Sequence, residues 1–175
     1  PPVLSFIGTQ IIDEDSTLTL DLSADDPEGN DVSFSFEVTN GSGVLTDSQL
    51  VITPDNDFNG DMTLTVTVTD GELEDSELVS INVIPINDAP DALLIDNAEV
   101  NENEELSLVL SATDIDSDSF FFSVLVDGNA SAFVEGNILS ITPFSGFNGD
   151  IDVTVFVSDG YLSTETNFTL TVTPV

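Results

Sequence analysis

Two all-β domains in tandem, each a seven-stranded sandwich, are what the 175-residue sequence predicts. Three observations carry that prediction. Apolar and polar residues alternate through short segments such as Leu18-Thr19-Leu20-Asp21-Leu22 and Leu64-Thr65-Val66-Thr67-Val68. That period of two is the one at which a strand turns successive side chains to opposite faces of a sheet. Turn-forming residues punctuate the segments, as in Asp26-Pro27-Glu28-Gly29-Asn30, Asn40-Gly41 and Asp70-Gly71. The first half of the chain also falls on the second when shifted by 88 residues.

The register fixes the domain organisation. Glu14 lands on Glu102, Leu18, Leu20 and Leu22 on Leu106, Leu108 and Leu110, and Asp26 on Asp114. After one extra loop residue the shift becomes 89, and Phe58-Asn59-Gly60-Asp61 lands on Phe147-Asn148-Gly149-Asp150. The expected domains are residues 1–87 and 88–175. In the first, strands are expected near 5–12, 17–23, 32–38, 43–46, 49–53, 62–69 and 77–84. In the second they are expected near 93–100, 105–112, 119–126, 132–134, 137–142, 151–158 and 166–173. Seven short strands in so few residues, without a helical period, point to an immunoglobulin-like Greek-key sandwich. Pro2 takes the place of Pro90 and Pro174 that of Pro85, so the chain is expected to begin and end at linker positions of a longer array.

Composition narrows the chemistry. The chain has 34 Asp and Glu, no Lys, Arg, His or Cys, and a formal net charge of −34. Nucleic-acid binding needs basic side chains to neutralise phosphates, and none exist. His-based relays, zinc sites, thiolate chemistry and disulfides are excluded with the residues that make them. A 40% hydrophobic fraction argues against disorder, and no apolar run reaches membrane-spanning length. With no basic side chain available, a bound metal cation is the counter-charge to look for.

An odd number of up-and-down strands sends the two termini out of opposite poles, so copies are expected to join end to end as a rod. The same alternation sorts the loops. Glu14, Asp55 and Asp57 belong to the C-terminal pole of the first repeat; Asp114, Asp116 and Asp159 belong to the N-terminal pole of the second. The linker Ile86-Asn87-Asp88-Ala89-Pro90 connects those poles. Calcium takes six to eight oxygen ligands in loose geometry, which suits such a set better than magnesium or a soft metal. Two carboxylates ~4 Å apart repel by about 4 kcal/mol at an effective dielectric near 20, so a cation would relieve real strain. The expected carboxylate ligands are Glu14, Asp55, Asp57, Asp88, Asp114, Asp116 and Asp159. Glu72, Glu74, Asp75 and Glu77 read instead as a solvated face, and Phe58 and Phe147 as plugs beneath a loop.

These motifs resemble cadherin repeats, and more closely the cadherin-like tandem repeats of large bacterial surface adhesins. Glu14 and Glu102 resemble the first-strand calcium-ligating Glu. Ala112-Thr113-Asp114-Ile115-Asp116 is similar to the Ala-x-Asp-x-Asp stretch, with Ala24-Asp25-Asp26-Pro27-Glu28 as its counterpart. Val157-Ser158-Asp159-Gly160 and Val68-Thr69-Asp70-Gly71 resemble the later Asp motif, and the linker resembles Asp-x-Asn-Asp-x-x-Pro, which implies Asn87 as an eighth ligand. The sequence departs from that pattern at Pro85, where the linker would carry an Asp, and at Phe144 and Gly146, which replace Asp55 and Asp57. The resemblance implies calcium-stiffened extracellular repeats of a cell-surface or secreted protein, without catalysis, whose first partners are neighbouring repeats. An alternative is calcium-dependent recognition of carbohydrate or of a cell-surface partner. Neither reading includes nucleic acid or direct membrane insertion.

Overall fold

The computed structural model describes residues 1–92 and 94–175. Within these the protein is all-β, and the chain divides into two compact units, Pro1–Ile86 and Asn87–Val175. Each is a two-sheet sandwich built the same way.

In the first unit the strands are β1 (Val3–Leu4), β2 (Gln10–Asp13), β3 (Leu18–Asp21), β4 (Ala24–Asp25), β5 (Ser33–Val38), β6 (Gly41–Thr46), β7 (Gln49–Pro54), β8 (Gly60–Thr69) and β9 (Glu74–Ile84). One sheet has the order β2-β9-β8-β5 and the other β3-β7-β6, with β1 and β4 as a separate pair. The second unit repeats this with β10 (Asp91–Ala92), β11 (Ala98–Asn101), β12 (Leu106–Val109), β13 (Ala112–Thr113), β14 (Phe121–Val126), β15 (Ala130–Glu135), β16 (Ile138–Pro143), β17 (Gly149–Ser158) and β18 (Ser163–Thr173). Its sheets are β11-β18-β17-β14 and β12-β16-β15, plus the β10–β13 pair.

Seven strand positions per unit are present, but the first two are each broken. Of the strand expected over 5–12 only residues 10–12 are strand, within β2; β1 ends before that range at Leu4, and the crossover between the two contains Gly8 at φ +73°. β1 pairs antiparallel with β4, whereas β2 pairs parallel with β9, so the first strand changes sheets midway. The strand expected over 93–100 begins at residue 93, outside the described residues; β10 and β11 flank that position. The strands expected over 17–23 and 105–112 are shorter, as β3 and β12, and each is followed by a separate two-residue strand, β4 just beyond residue 23 and β13 starting at residue 112. Parallel pairing of β2 with β9 and of β11 with β18 makes first and last strands run the same way. The chain therefore enters and leaves each unit at opposite ends.

The crossover corrects one reading of the acidic residues. Asp75 and Glu77 lie in the inward register of β9, in step with buried Val79, Ile81 and Val83, and both are partly covered. Asp75 Oδ2 accepts a hydrogen bond from the Leu4 amide at 2.9 Å, and the Glu77 carboxylate accepts those of Ile7 and Gly8 at 2.8 Å each. Leaving buried amides unpaired costs about 1–3 kcal/mol each, so these two carboxylates complete the sheet change.

Between the sheets, Leu50, Ile52, Met62, Leu64, Val66 and Val68 fill the first core, and Leu139, Ile141, Ile151, Val153, Val155 and Leu170 the second. Phe58 and Phe147 pack against these cores, as plugs would. The two cores trade volume at one place. A Cβ on Gly43 would lie 2.5 Å from the Phe36 ring and 2.8 Å from Ile52. The second unit has Ala132 where the first has Gly43, and Val124 where it has Phe36, so the smaller ring position compensates the added methyl. Interiors packed to crystal density tolerate such exchanges only in pairs.

Candidate metal centre

The acidic loops are organised by their own backbones before any ligand is considered. In the hairpin joining β8 to β9, Asp70 Oδ1 accepts the amides of Glu72 and Leu73 at 2.9 and 2.7 Å. In the equivalent hairpin of the second unit, Asp159 Oδ1 accepts those of Tyr161 and Leu162, both at 2.7 Å. The Leu73 amide first, with Glu72, holds the Asp70 carboxyl below its ordinary range. Asp159 is lowered chiefly by the Tyr161 amide, with the Asn87 side chain and Leu162 adding to it. Carboxylates that accept several hydrogen bonds favour their charged form.

The loop that follows the second strand is capped in the same manner. Asp26 Oδ1 accepts the amides of Glu28 and Asn30 at 2.9 and 3.1 Å, and Asp114 Oδ1 those of Asp116 and Ser117 at 2.7 and 3.0 Å. In both residues the first oxygen is engaged and the second is shielded from solvent without a hydrogen-bond partner. Asp26 and Asp114 are equivalent under the repeat register, so the arrangement occurs twice. In the first unit one oxygen each from Asp26, Glu28 and Asp70 lie within 4.8 Å of one another. The Pro1 ammonium stands 3.2 Å from Glu28 Oε2.

In the second unit the linker residues close over the corresponding loops. Asn87 Nδ2 donates to Asp159 Oδ2 at 2.7 Å and to the Asp88 carbonyl at 2.6 Å. The Asp88 amide donates to Asp116 Oδ2 at 2.8 Å. Five of the eight residues expected from sequence (Asn87, Asp88, Asp114, Asp116 and Asp159) thus share one end of this unit.

The other three lie at the C-terminal end of the first unit. Glu14 is 3% exposed; its carboxylate accepts the Ile86 amide at Oε1 and Asn59 Nδ2 at Oε2, the latter at 3.1 Å. Glu102 repeats the first contact by accepting the Val175 amide at 3.3 Å, so this Glu also anchors the segment leaving each sandwich. Asp57 takes a left-handed backbone at φ +56°, and its amide donates to Asp15 Oδ1 at 3.4 Å. Asp55 is exposed and shapes its turn through the backbone, its amide meeting the Asn40 carbonyl and its carbonyl the Phe58 amide.

Asp15 and Asn59 were not singled out by sequence. Asn59 was visible in the repeated Phe-Asn-Gly motif. Asp15 offered only its place beside Glu14; at φ +59° it reads as a turn residue, and Asn103 fills the equivalent position at φ +67°. Short polar side chains tolerate that left-handed region best.

Carboxylates paired to loop amides through one oxygen, with Asp26, Glu28 and Asp70 of the first unit gathered within 4.8 Å, suit a hard cation. The donors are all oxygens apart from amide nitrogens, the set that calcium accepts. The two shielded oxygens of Asp26 and Asp114 fit such an ion better than they fit a solvated face, because burying an unpaired charged oxygen is costly.

Tandem all-β sandwiches with acidic loop ends define a class of repeat module. The chain belongs to the bacterial Ig domain family, whose profile matches residues 1–82 and again 87–173. It is similar to the integrin beta-like protein A of Dictyostelium discoideum, at 34% identity over 134 residues that make up 71% of this chain and 7% of that protein. The chain therefore spans only a small part of that relative's length. Among solved structures it is similar to the human protocadherin-24 EC1-2 fragment, at 16% identity with a TM-score of 0.58, covering 98% of this chain and 97% of that one. An endo-fucoidan hydrolase of glycoside hydrolase family 107 matches at 19% identity and a TM-score of 0.44, over 99% of this chain and 29% of that one. The protocadherin likeness shows the fold: these are immunoglobulin- and cadherin-like β-sandwich repeats.

Proposed function

We propose that the chain is a pair of calcium-binding spacer repeats from a larger extracellular adhesion protein, stiffened when calcium occupies the acidic loops. The observation that carries this reading is the shielded, unpartnered Oδ2 at Asp26 and again at Asp114. A purely solvated acidic surface gives no reason for the same oxygen to be buried in both repeats. Glu14, Asp55 and Asp57 precede the Ile86–Asn87 bond, and Asn87, Asp88, Asp114, Asp116 and Asp159 follow it. Calcium held beside Asp114, Asp116 and Asp159 would tie Asn87 and Asp88 to the loops of the second unit and stiffen the segment that begins it, and weak sites of order 10⁻⁴–10⁻³ M suffice outside the cell. Repeats of this family and fold ordinarily serve as non-catalytic extracellular modules, which supports the assignment. Among the described residues no helix is long and apolar enough to cross a membrane.

Small-angle scattering of the full chain checks the stiffening. Calcium should give a narrower distribution of interatomic distances than chelator does. Superimposable curves would remove the spacer mechanism even if the ion binds.

A further inference from the structure

We propose that Asn40-Gly41 is a self-modifying site, at which the Gly41 amide nitrogen attacks the Asn40 side chain and converts it to aspartate and isoaspartate. A bond forms between the Gly41 nitrogen and Asn40 Cγ, and the Cγ–Nδ2 bond breaks. The NH2 group leaves with the amide hydrogen as ammonia. Water then opens the cyclic imide at either carbonyl, so one side-chain amide and one water become one carboxylic acid and one ammonia. Water is the only co-reactant.

Three Asn-Gly pairs stand in the sequence: Asn40-Gly41, Asn59-Gly60 and Asn148-Gly149. A following glycine, without a Cβ, crowds the attacking nitrogen least. The backbone separates the three. The Asp70 amide donates to the Leu73 carbonyl at 3.2 Å, and every second pair back along β8 and β9 is bonded in the same way. Counting by twos reaches Gly60 with Val83, so the ladder occupies the Gly60 amide. Gly149 stands against Val172 at the equivalent step of β17. Asn59 is held further, its Nδ2 donating to the Glu14 carboxylate at 3.1 Å.

At Asn40 the parity is reversed. Its carbonyl accepts the Asp55 amide at 3.0 Å, so the next pair, Gly41 with Pro54, is unbonded and the Gly41 amide points away from β7. β6 is the edge of its sheet among the described residues, so no strand is bonded to it on that side. Asn40 itself is exposed, in a turn at φ +55°. Packing holds a glycine beside it, because a Cβ on Gly41 would lie 2.6 Å from the Thr53 carbonyl oxygen and 2.8 Å from Met62 Cε. The second repeat has Asn129-Ala130 at the same step, with the Asn129 carbonyl accepting the Phe144 amide at 2.9 Å and a methyl beside the nitrogen. Opening to isoaspartate reroutes the main chain through Cγ. The oxygen that holds the Asp55 amide is then left on a free carboxylate.

Peptide mapping by mass spectrometry decides the matter, on the full chain held at about 37 °C and about pH 8.5, where asparagine is labile. Chelator throughout keeps the test apart from calcium binding. In the folded chain Asn40 is expected to convert roughly tenfold faster, or more, than Asn59, Asn148 or Asn129. In about 8 M urea the three Asn-Gly pairs should converge to within about threefold, because the ladder over Gly60 and Gly149 is gone. In chains that carry the isoaspartate, the Asp55 amide should exchange its hydrogen faster. Asn40→Gly, which keeps the left-handed turn, should abolish the early release of ammonia. Equal folded-state rates at the three pairs, a lead for Asn59 or Asn148, or no conversion at Asn40 while the unfolded chain reacts, overturns the proposal.

Discussion

With calcium at about a hundred times its dissociation constant, the chain should melt roughly 10–20 °C higher than in chelator. Binding to the native state at that excess contributes about 2.7 kcal/mol, and a domain of this size gains about 4–8 °C per kcal/mol. Asp114→Asn with Asp159→Asn should abolish most of that difference. Both substitutions keep an oxygen able to accept the loop amides, so the turns survive while two ligand charges disappear. The readout is the gap between calcium and chelator, not the absolute melting temperature. The amides of Tyr161 and Leu162 favour a charged Asp159, so Asn there weakens the loop somewhat under either condition. An equal calcium response in the variant would place the ion elsewhere.

Leu170→Ala should cost about 2–5 kcal/mol, a large part of the 5–15 kcal/mol that stabilises a typical domain. Leu170 has no exposed surface and lies in the middle of β18, in register with Ala98 on one side and Ile151 on the other. Its removal opens a cavity where the parallel first strand, the last strand and β17 meet. Calorimetric melting should show a transition lowered by roughly 10–30 °C. Thr169→Ala, one residue away and outward in register, should shift stability by less than about 0.5 kcal/mol. Equal losses at both positions would contradict the inward register of β18.

The sandwich was legible because period-two alternation and the repeat register are local signals, and each repeat confirmed the other's turns. The grouping of loops by pole was legible for the same reason. It rests on strand parity, and the contacts of Glu14 with Asn59 and of Asp57 with Asp15 join the loops it grouped. The break in the first strand was not legible. Ser5 to Gln10 keeps enough apolar character to pass for strand, and what divides it is pairing with β4 on one side and β9 on the other. Such pairing is settled by long-range contacts rather than by propensity. Asp75 and Glu77 were misread for that reason, since the amides they accept lie about seventy residues earlier in the chain. Glu14 was assigned as a ligand from sequence, and the structure adds its grip on the departing Ile86 amide. That grip reappears at Glu102, so a structural duty for this Glu exists in both repeats whether or not calcium is bound.

Calorimetric titration of calcium into the chelator-treated chain tests the central claim most directly. Saturable binding with a dissociation constant on the order of 10⁻⁴–10⁻³ M or tighter is expected, weakened at least tenfold by Asp114→Asn with Asp159→Asn. No saturable binding, or binding that the double substitution leaves unchanged, would contradict the account.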